Sequence, residues 1–138
     1  MARLSAIDLP VLHHVALIVA DLEKAAHLYG EVLGLEPDYR PDLKFEGLFY
    51  KLGHGQQLHL MKLDNPDAQS VRPKHGGRYR HMALSVADLS QITRQLDILD
   101  IDYTRSLSGR EAVFLYDADG NSLELIVLPK VTSENANI

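Results

Sequence analysis

The sequence predicts an α+β fold in which two βαβββ modules form a cupped mixed sheet with helices on its outer face. Three observations lead there. The stretch His13-His14-Val15-Ala16-Leu17-Ile18-Val19-Ala20-Asp21-Leu22 returns as Arg80-His81-Met82-Ala83-Leu84-Ser85-Val86-Ala87-Asp88-Leu89, at a constant offset of 67 (81 minus 14, 88 minus 21). Further along, Gln57-Leu58-His59-Leu60-Met61 returns as Ser122-Leu123-Glu124-Leu125-Ile126, at an offset of 65 (124 minus 59). A repeat longer than a solenoid unit marks a duplicated supersecondary module rather than an array. Finally, 138 residues, 46% of them hydrophobic, suffice for one domain with a core and are too few for two independent ones. The expected division is module one over about 12–64, a connector over 65–78, module two over about 79–128 and a tail over 129–138.

Each element has its own signal. Residues 1–10 read as a short arm ending at Pro10. From Leu12 to Val19, alternation sets His14, Ala16 and Ile18 on one strand face and His13, Val15, Leu17 and Val19 on the other, which a helix would cover. Asp21 reads as the N-cap of a helix carrying Leu22, Ala25, Ala26, Tyr29, Val32 and Leu33 at helical spacing, with Gly34 placed to end it. Short apolar runs over 36–39, 48–52 and 57–63, separated by turn residues, read as three strands. The connector holds Pro66, Pro73 and Gly76-Gly77 and is too irregular for a core element. Module two repeats the plan. It has a strand over 81–86, Asp88 as a cap with Gln91 completing a capping box, a helix with Leu89, Ile92, Leu96 and Leu99 on one side, and strands over 103–106, 112–116 and 122–128.

Composition narrows the function. There is no cysteine, so any metal must be held by nitrogen and oxygen. A net charge of −5 argues against a nucleic-acid partner. No segment has signal-peptide character or the roughly 20 apolar residues of a membrane span, so the chain reads as cytoplasmic and not membrane-bound.

Four polar side chains interrupt strands that otherwise look like core: His14, His59, His81 and Glu124, one from the first and one from the last strand of each module. Taken singly, a strand histidine is more often a hydrogen-bonded core or rim residue than a ligand. Glu124 alone reads equally well as an edge-strand carboxylate paired with Arg105 or Arg110. Recurrence at matched positions favours a shared metal, since burying Glu124 unpartnered is costly and a cation would compensate its charge. Three imidazoles and a carboxylate suit Zn, Fe(II), Ni, Co or Mn better than Mg or Ca. His13, His27, His54 and His75 fall on a helix-facing side, a helix, a turn and the connector, and are not expected to be ligands. Two further groups are compatible with an anionic substrate: Arg72, Lys74, Arg78 and Arg80 around the connector, and Arg105, Ser106, Ser108 and Arg110 in and after a module-two strand. Both have plain surface readings as well.

Together, Leu12-His13-His14-Val15-Ala16-Leu17 with Ala20-Asp21-Leu22, Tyr29 before Val32-Leu33-Gly34-Leu35, Arg80-His81-Met82-Ala83-Leu84, and 117–125 (DADGNSLEL) resemble the vicinal oxygen chelate superfamily, from about Leu12 to Leu128. That superfamily spans glyoxalase I, bleomycin-resistance proteins, fosfomycin-resistance thiol transferases, extradiol dioxygenases and methylmalonyl-CoA epimerase. The resemblance implies a divalent metal held by His14, His59, His81 and Glu124, with Glu124 also the catalytic base. It implies a small-molecule substrate with adjacent oxygens, and a homodimer in which one subunit completes the cup of the other. Glyoxalase I proper has Glu at the position of His59, and fosfomycin transferases have Tyr at the position of Phe114. Three functions follow: a glyoxalase-type lyase or isomerase, foremost; a ring-cleaving extradiol dioxygenase using His14, His81 and Glu124; and a non-enzymatic drug- or metabolite-binding protein of bleomycin-resistance type.

Overall fold

The alternating runs form strands, as their period requires, and the two copies form two four-stranded sheets of the same design. The computed structural model describes residues 9–129; most of the expected N-terminal arm and nearly all of the tail lie outside the described residues. Module one contributes β1 (His14–Val19), β2 (Glu36–Asp38), β3 (Gly47–Lys51) and β4 (Gln57–Lys62), and module two β5 (Met82–Val86), β6 (Tyr103–Arg105), β7 (Ala112–Tyr116) and β8 (Ser122–Val127). The strand orders are β1-β4-β3-β2 and β5-β8-β7-β6. In each sheet the first and last strands of the module pair in parallel and the remaining pairs are antiparallel. His81 stands just before β5 rather than in it.

Register carries the repeat into space. Ala16 and Phe49 lie opposite His59 on the two strands flanking β4, and Ala83 and Phe114 lie opposite Glu124 on the two flanking β8. The other face of each sheet is apolar: Leu58, Leu60, Leu123, Leu125 and Val113 are fully buried and join Tyr29, Leu96 and Val19 in one cluster that runs through both modules. Each such leucine contributes roughly 2 kcal/mol by leaving water.

The helices complete the outer layer. Asp21 accepts hydrogen bonds from the amides of Glu23 (2.9 Å) and Lys24 (3.0 Å), capping α1 (Leu22–Ala25). The helix then widens into a π-helical stretch, Ala26–Val32, where the amide of Leu33 donates to the carbonyl of Leu28 at 2.9 Å. That stretch buries Leu28, Tyr29 and Val32, and Gly34 at φ +75° ends the run as expected. In module two, α2 (Ser90–Ile98) buries Ile92, Thr93 and Leu96. The expected Asp88–Gln91 capping box is not formed: the Asp88 carboxylate takes both the amide (3.2 Å) and the hydroxyl (2.5 Å) of Ser90, and Leu89 is the cap residue.

One polar node ties the modules together. The buried Asp117 carboxylate accepts the Tyr29 hydroxyl (2.7 Å), the Asn121 side-chain amide (2.8 Å) and the backbone amides of Asp119 and Asn121 (both 2.9 Å). The same Asn121 amide also donates to the carbonyl of Ile18 in β1 (2.9 Å), and the amide of Ala20 donates to Asp119 (3.0 Å). The turn before β8 thereby holds the first strand and helix of module one. Among the described residues, no helix is long and apolar enough to cross a membrane.

Candidate metal centre

Parity puts the expected ligands on the faces away from the helices, but in two pairs. In module two, Glu124 is 5% exposed on β8, an interior strand, so it is not an edge-strand carboxylate, although the pairing with Arg110 that the same reading expected is present. Its Oε2 lies 3.3 Å from Nε2 of His81 and its Oε1 3.4 Å from Nη2 of Arg110. The other nitrogen of His81, Nδ1, lies 2.6 Å from the carbonyl of Tyr79. A backbone carbonyl there fixes the ring and leaves Nε2 as the functional nitrogen, an arrangement common behind metal ligands.

In module one, His14 and His59 are stacked, with ring centroids 4.1 Å apart and planes at 15°, and Phe49 stacks on the other side of His59 at 3.5 Å. Nε2 of His59 meets Oε1 of Gln57 at 2.9 Å, and Nδ1 of His14 meets Nδ1 of His13 at 2.8 Å. Burial, then the neighbouring His14, His13 and Arg40, lower the pKa of His59 and favour the neutral ring that offers a lone pair. His13, expected on the helix-facing side, instead has an exposed ring that meets the ring of His14.

Among the described residues of one chain, no group of three or more His, Asp or Glu side chains is close enough to hold a metal. One chain therefore brings His81 to Glu124 and His14 to His59, and does not bring the two pairs together. The donor chemistry, imidazole nitrogens and one buried carboxylate with a ring-orienting carbonyl behind it, fits a divalent transition metal.

The basic groups divide in the same way. Arg72 is a strut, since its guanidinium donates to the carbonyls of Gly120, Ser70 and Asp67. Arg80 covers the Tyr79 ring and lies 3.9 Å from Asp67. Arg110 reaches from Glu124 to Ser108 (3.1 Å), whose hydroxyl is 2.8 Å from that of Ser106. Sequence reasoning missed Phe49, though the offset of 65 that links His59 to Glu124 also links it to Phe114.

A family model described as the Glyoxalase/Bleomycin resistance protein/Dioxygenase superfamily matches residues 11–125. The chain is 29% identical to the uncharacterised protein YwkD of Bacillus subtilis over 121 residues, covering 83% of this chain and 94% of that one. It is 31% identical to the mitochondrial methylmalonyl-CoA epimerase of Homo sapiens over 121 residues, covering 78% of this chain and 67% of the relative. Among solved structures, a glyoxalase/dioxygenase from Nostoc punctiforme superposes with a TM-score of 0.69 at 22% identity, covering 94% of this chain and 99% of that one. With its two repeated sheets and a family match spanning nearly all of the described residues, the chain belongs to the glyoxalase/bleomycin resistance/dioxygenase superfamily.

Proposed function

We propose that this protein is a divalent-metal-dependent isomerase or lyase of glyoxalase type, which abstracts a proton from carbon next to a carbonyl. The observation that carries the reading is the buried Glu124 carboxylate, 3.3 Å from Nε2 of His81 and matched across the repeat by His59 beside His14. His14, His59, His81 and Glu124 would hold the metal, and when bound it would supply Lewis-acid stabilisation to the oxygen anion of the substrate. Glu124 takes the proton from carbon and returns it, and the Arg110 guanidinium, 3.4 Å from its Oε1, helps to hold the carboxylate in place. His81, oriented by the Tyr79 carbonyl, presents its Nε2 beside the Glu124 carboxylate, while Phe49 and Phe114 form apolar walls beside each pair. A relative of compatible kind is the human protein named as a methylmalonyl-CoA epimerase.

The pairwise split of the donors supports a homodimer. In it, His14 and His59 of one chain face His81 and Glu124 of the partner subunit, and two equivalent sites form. The test is metal analysis of the purified protein followed by NMR in D2O with the methylglyoxal–glutathione hemithioacetal and a 2-methylacyl-CoA thioester. The metal-loaded protein is expected to wash the proton adjacent to carbonyl out of one of them, and Glu124→Gln to lose about 100-fold or more of that rate. Metal-loaded protein that exchanges neither would overturn the assignment.

A further inference from the structure

Module one sets its imidazoles in a frame that the repeat does not copy. Asp38 on β2, Phe49 on β3 and His59 on β4 lie opposite one another across three strands, and Gln57, two residues before His59, projects from the same face of β4. Their polar groups run in series over that face. The Gln57 side-chain amide donates to Oδ2 of Asp38 at 2.8 Å, and its Oε1 lies 2.9 Å from Nε2 of His59. The offset of 65 puts Ser122 at the position of Gln57 in module two, where the buried hydroxyl has no hydrogen-bond partner among the described residues.

Donor and acceptor roles along the series follow from its first member. A hydrogen bond from Gln57, then one from the amide of Tyr39, hold the Asp38 carboxyl below its ordinary pKa, so it is ionised at neutral pH and only accepts. The Gln57 nitrogen therefore faces Asp38, and its oxygen is left for His59. An amide oxygen also only accepts, so Nε2 of His59 carries the ring proton and Nδ1 keeps the lone pair. At His81 the order is reversed, because the Tyr79 carbonyl takes the Nδ1 proton and frees Nε2. The ring of His59 is also held in its plane: Phe49 covers one face at 3.5 Å and 2°, and His14 the other at 4.1 Å and 15°. A half-turn would drive the ring edge through both neighbours. The lone pair lies in the ring plane, however, so covered faces do not block it, and His59 is half-exposed. We propose that Gln57 is a positioning residue for the metal centre, fixing the Nε2–H tautomer of His59 so that this ligand offers Nδ1 where His81 offers Nε2. This rests on the reading of the site as a metal centre.

The test is long-range 1H–15N correlation NMR of the histidine rings in 15N-labelled protein, before and after zinc is added, with zinc affinity measured by competition against a chelating dye. Wild type is expected to show His59 protonated at Nε2 without metal, and to keep that proton when zinc binds, with the large 15N shift at Nδ1. Gln57→Met removes the acceptor at similar side-chain length; it is expected to mix the two tautomers and to weaken zinc about tenfold. Gln57→Glu keeps an acceptor and is expected to retain the tautomer. A role confined to packing would leave the tautomer unchanged in Gln57→Met, and that result would overturn the proposal. So would zinc on Nε2 of His59, or zinc bound with no change at His59, both of which leave the metal-dependent function standing. Wild-type protein that binds no zinc would overturn this proposal and the function it rests on.

Discussion

The two halves of the repeat share a backbone and differ in chemistry. In module one the open face carries stacked aromatic rings, Phe49 on His59 on His14, beside a cation, Arg40, that packs on Phe45 and Phe49. In module two the same positions carry a buried carboxylate with a histidine and an arginine on it, and a strap of connector, Gly76–Arg78, is pressed against Ser122 and Phe114. A duplicated unit fixes where side chains project and leaves each copy free to specialise. One half supplies neutral nitrogen, and the other supplies charge and a proton acceptor.

The sharpest way to break that comparison is to cripple one half in each of two preparations. His14→Ala and Glu124→Gln should each lose about 100-fold or more in proton exchange. After unfolding and refolding together in equal amounts, they should regain about a quarter of wild-type activity, because half the dimers would be mixed and each would hold one intact site. No recovery, with mixed dimers demonstrated by mass spectrometry, would place all four ligands in one chain.

A smaller effect tests the turns before the last strands. Module one uses Gly53–Gly55, with His54 at φ +60°, whereas module two uses the Asp117 node. Asp117→Ala strands the buried Tyr29 hydroxyl and the Asn121 amide, and should cost about 3 kcal/mol in urea denaturation. Tyr29→Phe removes one of these bonds and should cost about 1 kcal/mol at neutral pH. Burial first, then the Asp117 charge and hydrogen bond, raise the Tyr29 pKa well above its ordinary value. A raised folded-state pKa contributes stability that is whole below the unfolded value of about 10 and is lost as pH rises beyond it. Wild type should therefore weaken above pH 10 more steeply than Tyr29→Phe; parallel alkaline profiles would refute this. The smallest expected difference lies at the helix starts: Asp21→Ala should cost about 1 kcal/mol, since it frees two amides. Asp88→Ala should cost less, because only one of its two bonds to Ser90 is to a backbone amide.

Strands were legible in the sequence because alternation reports which side of a sheet is dry, and Leu58, Leu60, Leu123 and Leu125 are all fully buried as their parity requires. The site residues were legible only through repetition, since His14 or Glu124 alone has an ordinary structural explanation. Three features were not. The π-helical stretch has the same apolar spacing that an α-helix would show, so periodicity does not separate them. In place of the expected capping box, the Asp88 carboxylate accepts from the amide and hydroxyl of Ser90 and not from Gln91, a choice between neighbouring donors that the spacing does not show. His75 sits in a segment whose order comes from contact with a sheet distant in sequence, at Thr104 and Phe114, and local pattern is blind to such contacts.

The strap also divides the connector into parts of unequal tolerance to change. Tyr79 is bonded back to Gly76 through its amide and holds His81 through its carbonyl, so the seven residues from His75 to His81 behave as one rigid link. Upstream, Val71 is 95% exposed, and added loop length there would leave the link undisturbed. Engineered variants should therefore tolerate an extra residue at the exposed Val71 better than one after Pro73, the former disturbing at most the Arg72 strut.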